Sequence, residues 1–170
     1  MLRFLFNLIL LLAVVGAGLY YFYRGDQQLI DRARVNLTRE AYSLLYRMGV
    51  TLPGTPDYAK LDTRLAEKGV KLGDPVLVRV FKLESELELW LERDGRYLKF
   101  ATYPICRFSG RLGPKLSEGD RQAPEGFYTV AKEQLNPNSR WHRSFNLGYP
   151  NAFDRAHDRT GSLIMVHGGC

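Results

Sequence analysis

Val76-Leu77-Val78-Arg79-Val80-Phe81, Leu87-Glu88-Leu89-Trp90-Leu91-Glu92 and Tyr97-Leu98-Lys99-Phe100 follow one another between residues 76 and 100. Each run alternates with a period near two, which predicts three successive strands. Asp94-Gly95 between the second and third is the residue pair favoured in tight hairpin turns. Gly73-Asp74-Pro75 marks where this period begins. Downstream, turn residues are dense: Gly113-Pro114, Glu118-Gly119-Asp120, Pro124-Glu125-Gly126 and Asn136-Pro137-Asn138. Short strands are expected between them at residues 126–131 and 162–167. The body is therefore read as mainly β, with long loops of the kind on which sites are built.

Upstream the period is helical. Ile30, Ala33, Leu37, Ala41, Leu44, Leu45 and Met48 step by three and four. They predict an amphipathic helix capped by Asp26, with Arg32, Arg34, Arg39 and Arg47 on its wet side. A stalk and a helix packed on the core fit this pattern equally. Pro53-Gly54-Thr55-Pro56 ends it. A second short helix is expected with Thr55 as N-cap, Tyr58, Leu61 and Leu65 on one face, and Gly69 as its stop.

Residues 4–23 hold only Asn7, Gly16 and Gly18 outside the apolar and aromatic set. As a helix rising ~1.5 Å per residue, this stretch can cross a hydrocarbon core of roughly 30 Å. Tyr20-Tyr21-Phe22-Tyr23 suits the exit from a bilayer. The rival is a cleaved signal sequence with Val15-Gly16-Ala17 at its cleavage site. Either way, residues after about 25 are expected outside the cytoplasm. Composition adds bounds: 170 residues, 45% hydrophobic, 25% charged and a net charge of +6 describe an ordinary globular chain. The basic balance favours anionic partners, but no nucleic-acid-binding motif is present, so nucleic acid is not expected. Two cysteines are too few for a disulfide-stapled scaffold.

The segment richest in chemistry is Leu163-Ile164-Met165-Val166-His167-Gly168-Gly169-Cys170. An apolar run ending in His-Gly puts an imidazole where a strand emerges into a glycine loop, a rigid place for a general base. A His that merely closes the strand by bonding a neighbouring carbonyl fits the pattern as well.

Here a resemblance becomes specific. Tyr103-Pro104-Ile105-Cys106, Leu112-Gly113-Pro114-Lys115, Pro124-Glu125-Gly126-Phe127-Tyr128, Gln134-Leu135-Asn136-Pro137-Asn138-Ser139, Ser144-Phe145-Asn146, Gly148-Tyr149-Pro150-Asn151-Ala152, Arg159-Thr160-Gly161-Ser162 and Val166-His167-Gly168 occur in this order. They resemble the YafK-like branch of the YkuD-type L,D-transpeptidase catalytic domain, from about Val76 onward. The resemblance implies a YkuD-like β-sandwich, incomplete at its C-terminus, behind a transmembrane or signal helix. The implied layout is residues 1–25 as anchor or signal, 26–72 as helical stalk or packing region, and 73–170 as the catalytic domain.

The resemblance also implies chemistry. Family enzymes use a cysteine nucleophile and a histidine base to attack the diaminopimelate carbonyl of a peptidoglycan stem peptide. An amine or water then takes the acyl group, so cross-link formation and hydrolysis of such links are both open. His167 and Gly168 match the family's His-Gly. The family's nucleophile lies a few residues further on, in Ser-x-Gly-Cys, and is expected beyond residue 170. The chain is accordingly read as truncated and inactive as it stands, with Cys170 itself the alternative nucleophile. If the natural chain ended there, a non-catalytic murein-binding module would be the reading. Tyr128, Lys115, Asn146, Tyr149 and Asn151 are the expected substrate-groove residues. Cys106 and Cys170 could form a disulfide in an oxidising envelope. No cofactor is expected, and no metal, because His167, Cys170, Cys106 and His157 lack the paired short spacing of zinc ligands. The expected partners are peptidoglycan stem peptides and, through residues 4–23, the inner membrane; the expected location is periplasmic.

Overall fold

The computed structural model describes the backbone of residues 2–170 and the side chains from residue 6 onward; the first side chains of the predicted anchor lie outside the described residues. Helix α1 runs unbroken from Leu2 to Arg47. The boundary expected at Asp26 does not exist. Gly25 is the one weak helix former near the junction, and without a proline its cost of about 1 kcal/mol does not stop a propagating helix. From Phe6 the helix is long and apolar enough to cross a membrane, and that apolar window is wholly unburied.

The lower part of α1 docks on the body through the face opposite to the one predicted. Val35 is 3% exposed. Arg39, expected on the wet side, donates to the carbonyls of Phe108 (2.8 Å) and Gly110 (3.1 Å), with its guanidinium 5.0 Å from the Phe108 ring centre. The loop after the last strand of the first sheet offers carbonyls with no ladder partner, and a planar cation with several donors satisfies two of them at once. The predicted apolar stripe points away: Ile30, Leu37, Leu44 and Met48 are all exposed.

After a turn, a 3-10 segment Tyr58–Lys60 leads into α2, Leu61–Lys68. The cap is Asp57, whose carboxylate accepts from the Ala59 amide at 3.0 Å, and not Thr55. Gly69 closes α2 in the left-handed conformation at φ 63°, as its position predicted.

Strands β1 (Val76–Phe81), β2 (Glu86–Arg93) and β3 (Arg96–Pro104) form an antiparallel meander in that order. Asp94 and Gly95 both take positive φ, 53° and 73°, the turn geometry whose twist matches the flanking strands. The register shifts between Leu89 and Trp90, so that Leu89 faces Ala101 while Trp90 faces Lys99. This bulge lets the consecutive residues Phe100 and Ala101 both be buried, against Leu65, Val70 and Leu91. On the other face, Glu88 lies between Arg79 (3.2 Å) and Lys99 (3.2 Å).

A long irregular segment follows. The strand expected at residues 126–131 is absent. Pro124 supplies no amide donor and Gly126 sits at φ 154°, and the segment is held by side chains instead. Lys82 reaches the carbonyls of Gly113 and Ala123, each at 2.7 Å, and Glu125 at 3.0 Å. Burial pushes the Lys82 ammonium down, against the pull of Glu125. A second antiparallel sheet, β4 (Leu135–Asn136), β5 (Ser144–Asn146) and β6 (Met165–His167), closes the chain, with α3 (Ala152–Ala156) between β5 and β6. Only Met165–His167 of the run predicted at 162–167 is extended. The architecture is thus mainly β behind N-terminal helices, as the periodicities indicated.

Candidate functional site

β6 is an edge strand, paired antiparallel with β5 so that Ser144 faces His167, Phe145 faces Val166 and Asn146 faces Met165. Side chains directly opposite share a face, and so do residues two apart, so Asn146 lies on the face that carries His167. His167 is exposed at the strand end. Its Nδ1 lies 3.0 Å from the Gly168 carbonyl oxygen. A carbonyl can only accept, so Nδ1 carries the hydrogen and the lone pair is left on Nε2. That is the tautomer a general base needs.

The loop before β5 wraps this end. Trp141 stacks on the His167 ring with centroids 5.6 Å apart, and Arg140 lies over Trp141 at 5.4 Å. The Gly168 amide donates to the Arg143 carbonyl at 3.1 Å. His142, at φ 65°, sits against Gly168 so closely that a Cβ there would come within 3.1 Å of its ring. A side chain at 168 would require the His142 ring to give by a few tenths of an ångström. From the other side, the Tyr46 hydroxyl of α1 lies 3.2 Å from where a Cβ of Gly169 would be.

Cys106 and Cys170 form a disulfide with Cα atoms 5.9 Å apart. It ties the loop after His167 to the residues just beyond β3. In this state neither sulfur is a thiolate, and there is no free cysteine among the described residues.

The residues expected to line the substrate groove divide. Asn146 accepts from the Gly148 amide at 3.0 Å through its side chain. Tyr128 and Asn151 converge instead on an interior network around Asp154, which is 1% exposed, while Lys115, with Tyr149 bonded to its carbonyl, binds Asp120. Tyr128 donates its hydroxyl proton to Asp154 at 2.9 Å, the Asn151 amide donates at 3.1 Å and Arg159 at 2.9 Å. Asn151 in turn accepts from the Asp154 amide at 2.8 Å and donates to the Phe127 carbonyl at 2.8 Å. The Tyr149 hydroxyl donates to the Lys115 carbonyl at 3.1 Å, and the Lys115 ammonium, 4% exposed as a residue, bonds Asp120 at 2.6 Å and the Ser117 carbonyl at 2.8 Å. Gly161 makes room for this ammonium's stem: a Cβ there would stand 2.5 Å from Lys115 Cε. These four residues position loops rather than present free polar atoms to a ligand.

The electrostatics follow the same division. Burial raises the Asp154 carboxyl's affinity for a proton, but the bonds from Tyr128, Asn151 and Arg159 outweigh it and hold the group below the usual carboxylate range. Burial and the neighbouring Asp154 charge push the Tyr128 hydroxyl upward, so it stays a donor. At Asp120, bonds from Lys115 and three backbone amides overcome burial and hold the carboxyl low. Asp154 and Trp141 were not singled out from sequence. The spacing Asn151-Ala152-Phe153-Asp154 is a helix-capping pattern and signals the first; nothing in the sequence signals the second.

No family model matches the chain. Over 99 residues it is 46% identical to a protein of Escherichia coli K12 named "Putative L,D-transpeptidase YafK", covering 58% of this chain and 40% of that relative. The same identity and coverage hold for the protein of that name from Escherichia coli O157:H7. The chain thus spans about two-fifths of the length of the curated relatives it matches. Two crystal structures of the helical cell shape determining protein Pgp2 from Campylobacter jejuni, one a mutant, overlap 62% of this chain at 27% and 28% identity with TM-scores of 0.44 and 0.45, over 40% and 39% of their own chains. Over the matched stretch the chain is thus similar to proteins named as putative L,D-transpeptidases.

Proposed function

We propose that the protein acts on peptidoglycan stem peptides as a cysteine acyltransferase of the L,D-transpeptidase type, with His167 as its base. The observation that carries this reading is the orientation of His167: at a strand end, with Nδ1 committed to the Gly168 carbonyl and Nε2 free. The homology to YafK supports the substrate class. Cys106 and Cys170 are bonded to each other, so the nucleophile belongs in the Ser-x-Gly-Cys that the family places after His-Gly.

The steps then balance. Nε2 takes the thiol proton and the thiolate attacks the diaminopimelate carbonyl. The amide C–N bond breaks as the imidazolium returns the proton to the leaving amine, and a thioester remains. An acceptor amine or water, deprotonated at Nε2, attacks the thioester and releases the thiol. With an amine this is cross-linking or attachment; with water it is hydrolysis. Anchorage by residues 4–23 would hold the domain on the periplasmic side of the inner membrane.

The test is His167→Gln in the full-length protein, incubated with a tetrapeptide stem and followed by mass spectrometry of the acyl-enzyme and products. The expected loss in rate is about 10²–10⁴-fold. Undiminished acylation would overturn the assignment.

A further inference from the structure

We infer that α1 pairs in parallel with α1 of a second copy of this chain, through the stripe Ile30, Ala33, Leu37, Ala41, Leu44 and Met48. This rests on the reading of residues 4–23 as a membrane span. The large members of the stripe are 57% (Ile30), 71% (Leu37), 53% (Leu44) and 66% (Met48) exposed, a continuous apolar band on a helix outside the apolar span. Scattered apolar side chains on a surface need no explanation, but six at strict helical spacing form a patch.

Three observations select the occupant. The described body takes the opposite side of α1: with 3.6 residues per turn, Val35 and Arg39 lie about half a turn from the stripe. A second copy can therefore approach the stripe without displacing the domain. The membrane surface is excluded by continuity: α1 is one uninterrupted helix from Leu2 to Arg47, so a stripe along its axis stands off the bilayer rather than lying on it. The same continuity favours a copy of itself. Two spans in one membrane hold their stalks parallel, at matching height, with like residues at the same level, and raise their effective concentration. The steps 3, 4, 4, 3 and 4 average 3.6 residues, which suits two nearly straight helices without pronounced supercoiling.

The area suffices. At roughly 60–120 Å² for each large side chain, the two stripes with the adjoining Leu29, itself 63% exposed, remove about 1,000 Å² from water, the lower bound of a specific interface. Such an interface would be weak between free domains and sufficient between tethered ones.

The experiment uses the full chain in cell membranes. Because Cys106 and Cys170 are bonded to each other, neither competes with an introduced cysteine, and any other thiol contributes equally to every variant. Leu37→Cys and Leu44→Cys are expected to give an oxidant-induced band at twice the chain mass, at least tenfold stronger than Arg32→Cys on another face. Adding Leu37→Glu to Leu44→Cys should remove that band. Equal cross-linking of all three positions, none at any position in membrane-integrated protein, or a band of another mass would overturn the pairing. Recovery of the protein as a shortened species released by alkaline carbonate would overturn the span itself, a result distinct from integrated but uncross-linked protein.

Discussion

Asp154→Ala is expected to cost about 3–5 kcal/mol of folding stability, although residue 154 takes no part in the proposed chemistry. The carboxylate is 1% exposed and receives three bonds, from Tyr128, the Asn151 amide and Arg159. Alanine leaves a guanidinium that is only 16% exposed without its counter-charge, and breaking one partner of a buried pair costs about that amount. It also orphans a phenol that burial has already confined to the donor role, and removes the Asn151–Asp154 reciprocal cap of α3. Asp154→Asn keeps the shape and one acceptor, so it should cost less, about 1.5–3 kcal/mol for bonds to a charged group. For a chain of this size, 1 kcal/mol moves the melting temperature by about 2–4 °C, so the alanine variant should melt about 6–20 °C lower. The assay is thermal unfolding of the detergent-solubilised chain, followed by near-ultraviolet circular dichroism. A Tm within 2 °C of the parent for Asp154→Ala would refute the view that this network organises the loops around α3.

Cys106→Ser opens a loop whose ends are 64 residues apart and should cost about 4 kcal/mol on the chain-entropy model, read as a lower urea midpoint that reductant no longer shifts. Arg39→Ala removes two bonds from a charged donor to backbone carbonyls and should free the lower part of α1, costing about 1.5–3 kcal/mol and raising amide exchange around Phe108 and Gly110. Acid unfolding has a definite sign: Asp120 and Asp154 titrate lower folded than unfolded, so their stabilisation is complete above the ordinary carboxylate range and is lost as pH falls through and below it. Stability measured from pH 7 downward should hold to about pH 5 and then decline, and Asp120→Asn should flatten that decline.

The strands from Val76 to Pro104 were legible because a half-buried sheet imposes a period of two and a tight turn demands Asp-Gly, and both are local constraints. His167 at a strand end was legible for the same reason. The docking face of α1 was not. Periodicity located the apolar stripe but could not say what it faces, and the contact that orients α1 is Arg39 to the carbonyls of Phe108 and Gly110, about 70 residues away in sequence. Residues 126–131 misled because alternating apolar side chains read as a strand even where no strand among the described residues pairs with them. Lys115, Tyr128, Tyr149 and Asn151 all make bonds within the protein: Tyr128 and Asn151 to Asp154, Tyr149 to the Lys115 carbonyl, and the Lys115 ammonium to Asp120. A conserved-looking polar pattern cannot distinguish a residue that meets a ligand from one that holds the loop beside it.

Helix α1 links these features mechanically. From Arg24 to Tyr46 it rises about 33 Å at 1.5 Å per residue, and no proline or unwound turn interrupts it. Toward its C-terminal end, Arg39 fixes the loop after β3 while the Tyr46 hydroxyl approaches Gly169, two residues beyond His167. The disulfide joins those same two places, Cys106 after β3 and Cys170 after Gly169. The strand end that carries His167 is therefore clamped from two directions, covalently to the first sheet and by packing to the stalk. On the proposed anchorage, a rigid rod with its C-terminal turns packed beside the site would set the height of the imidazole above the bilayer, and its orientation too. On the proposed function, that geometry confines the reaction to stem peptides within reach of a fixed plane parallel to the membrane.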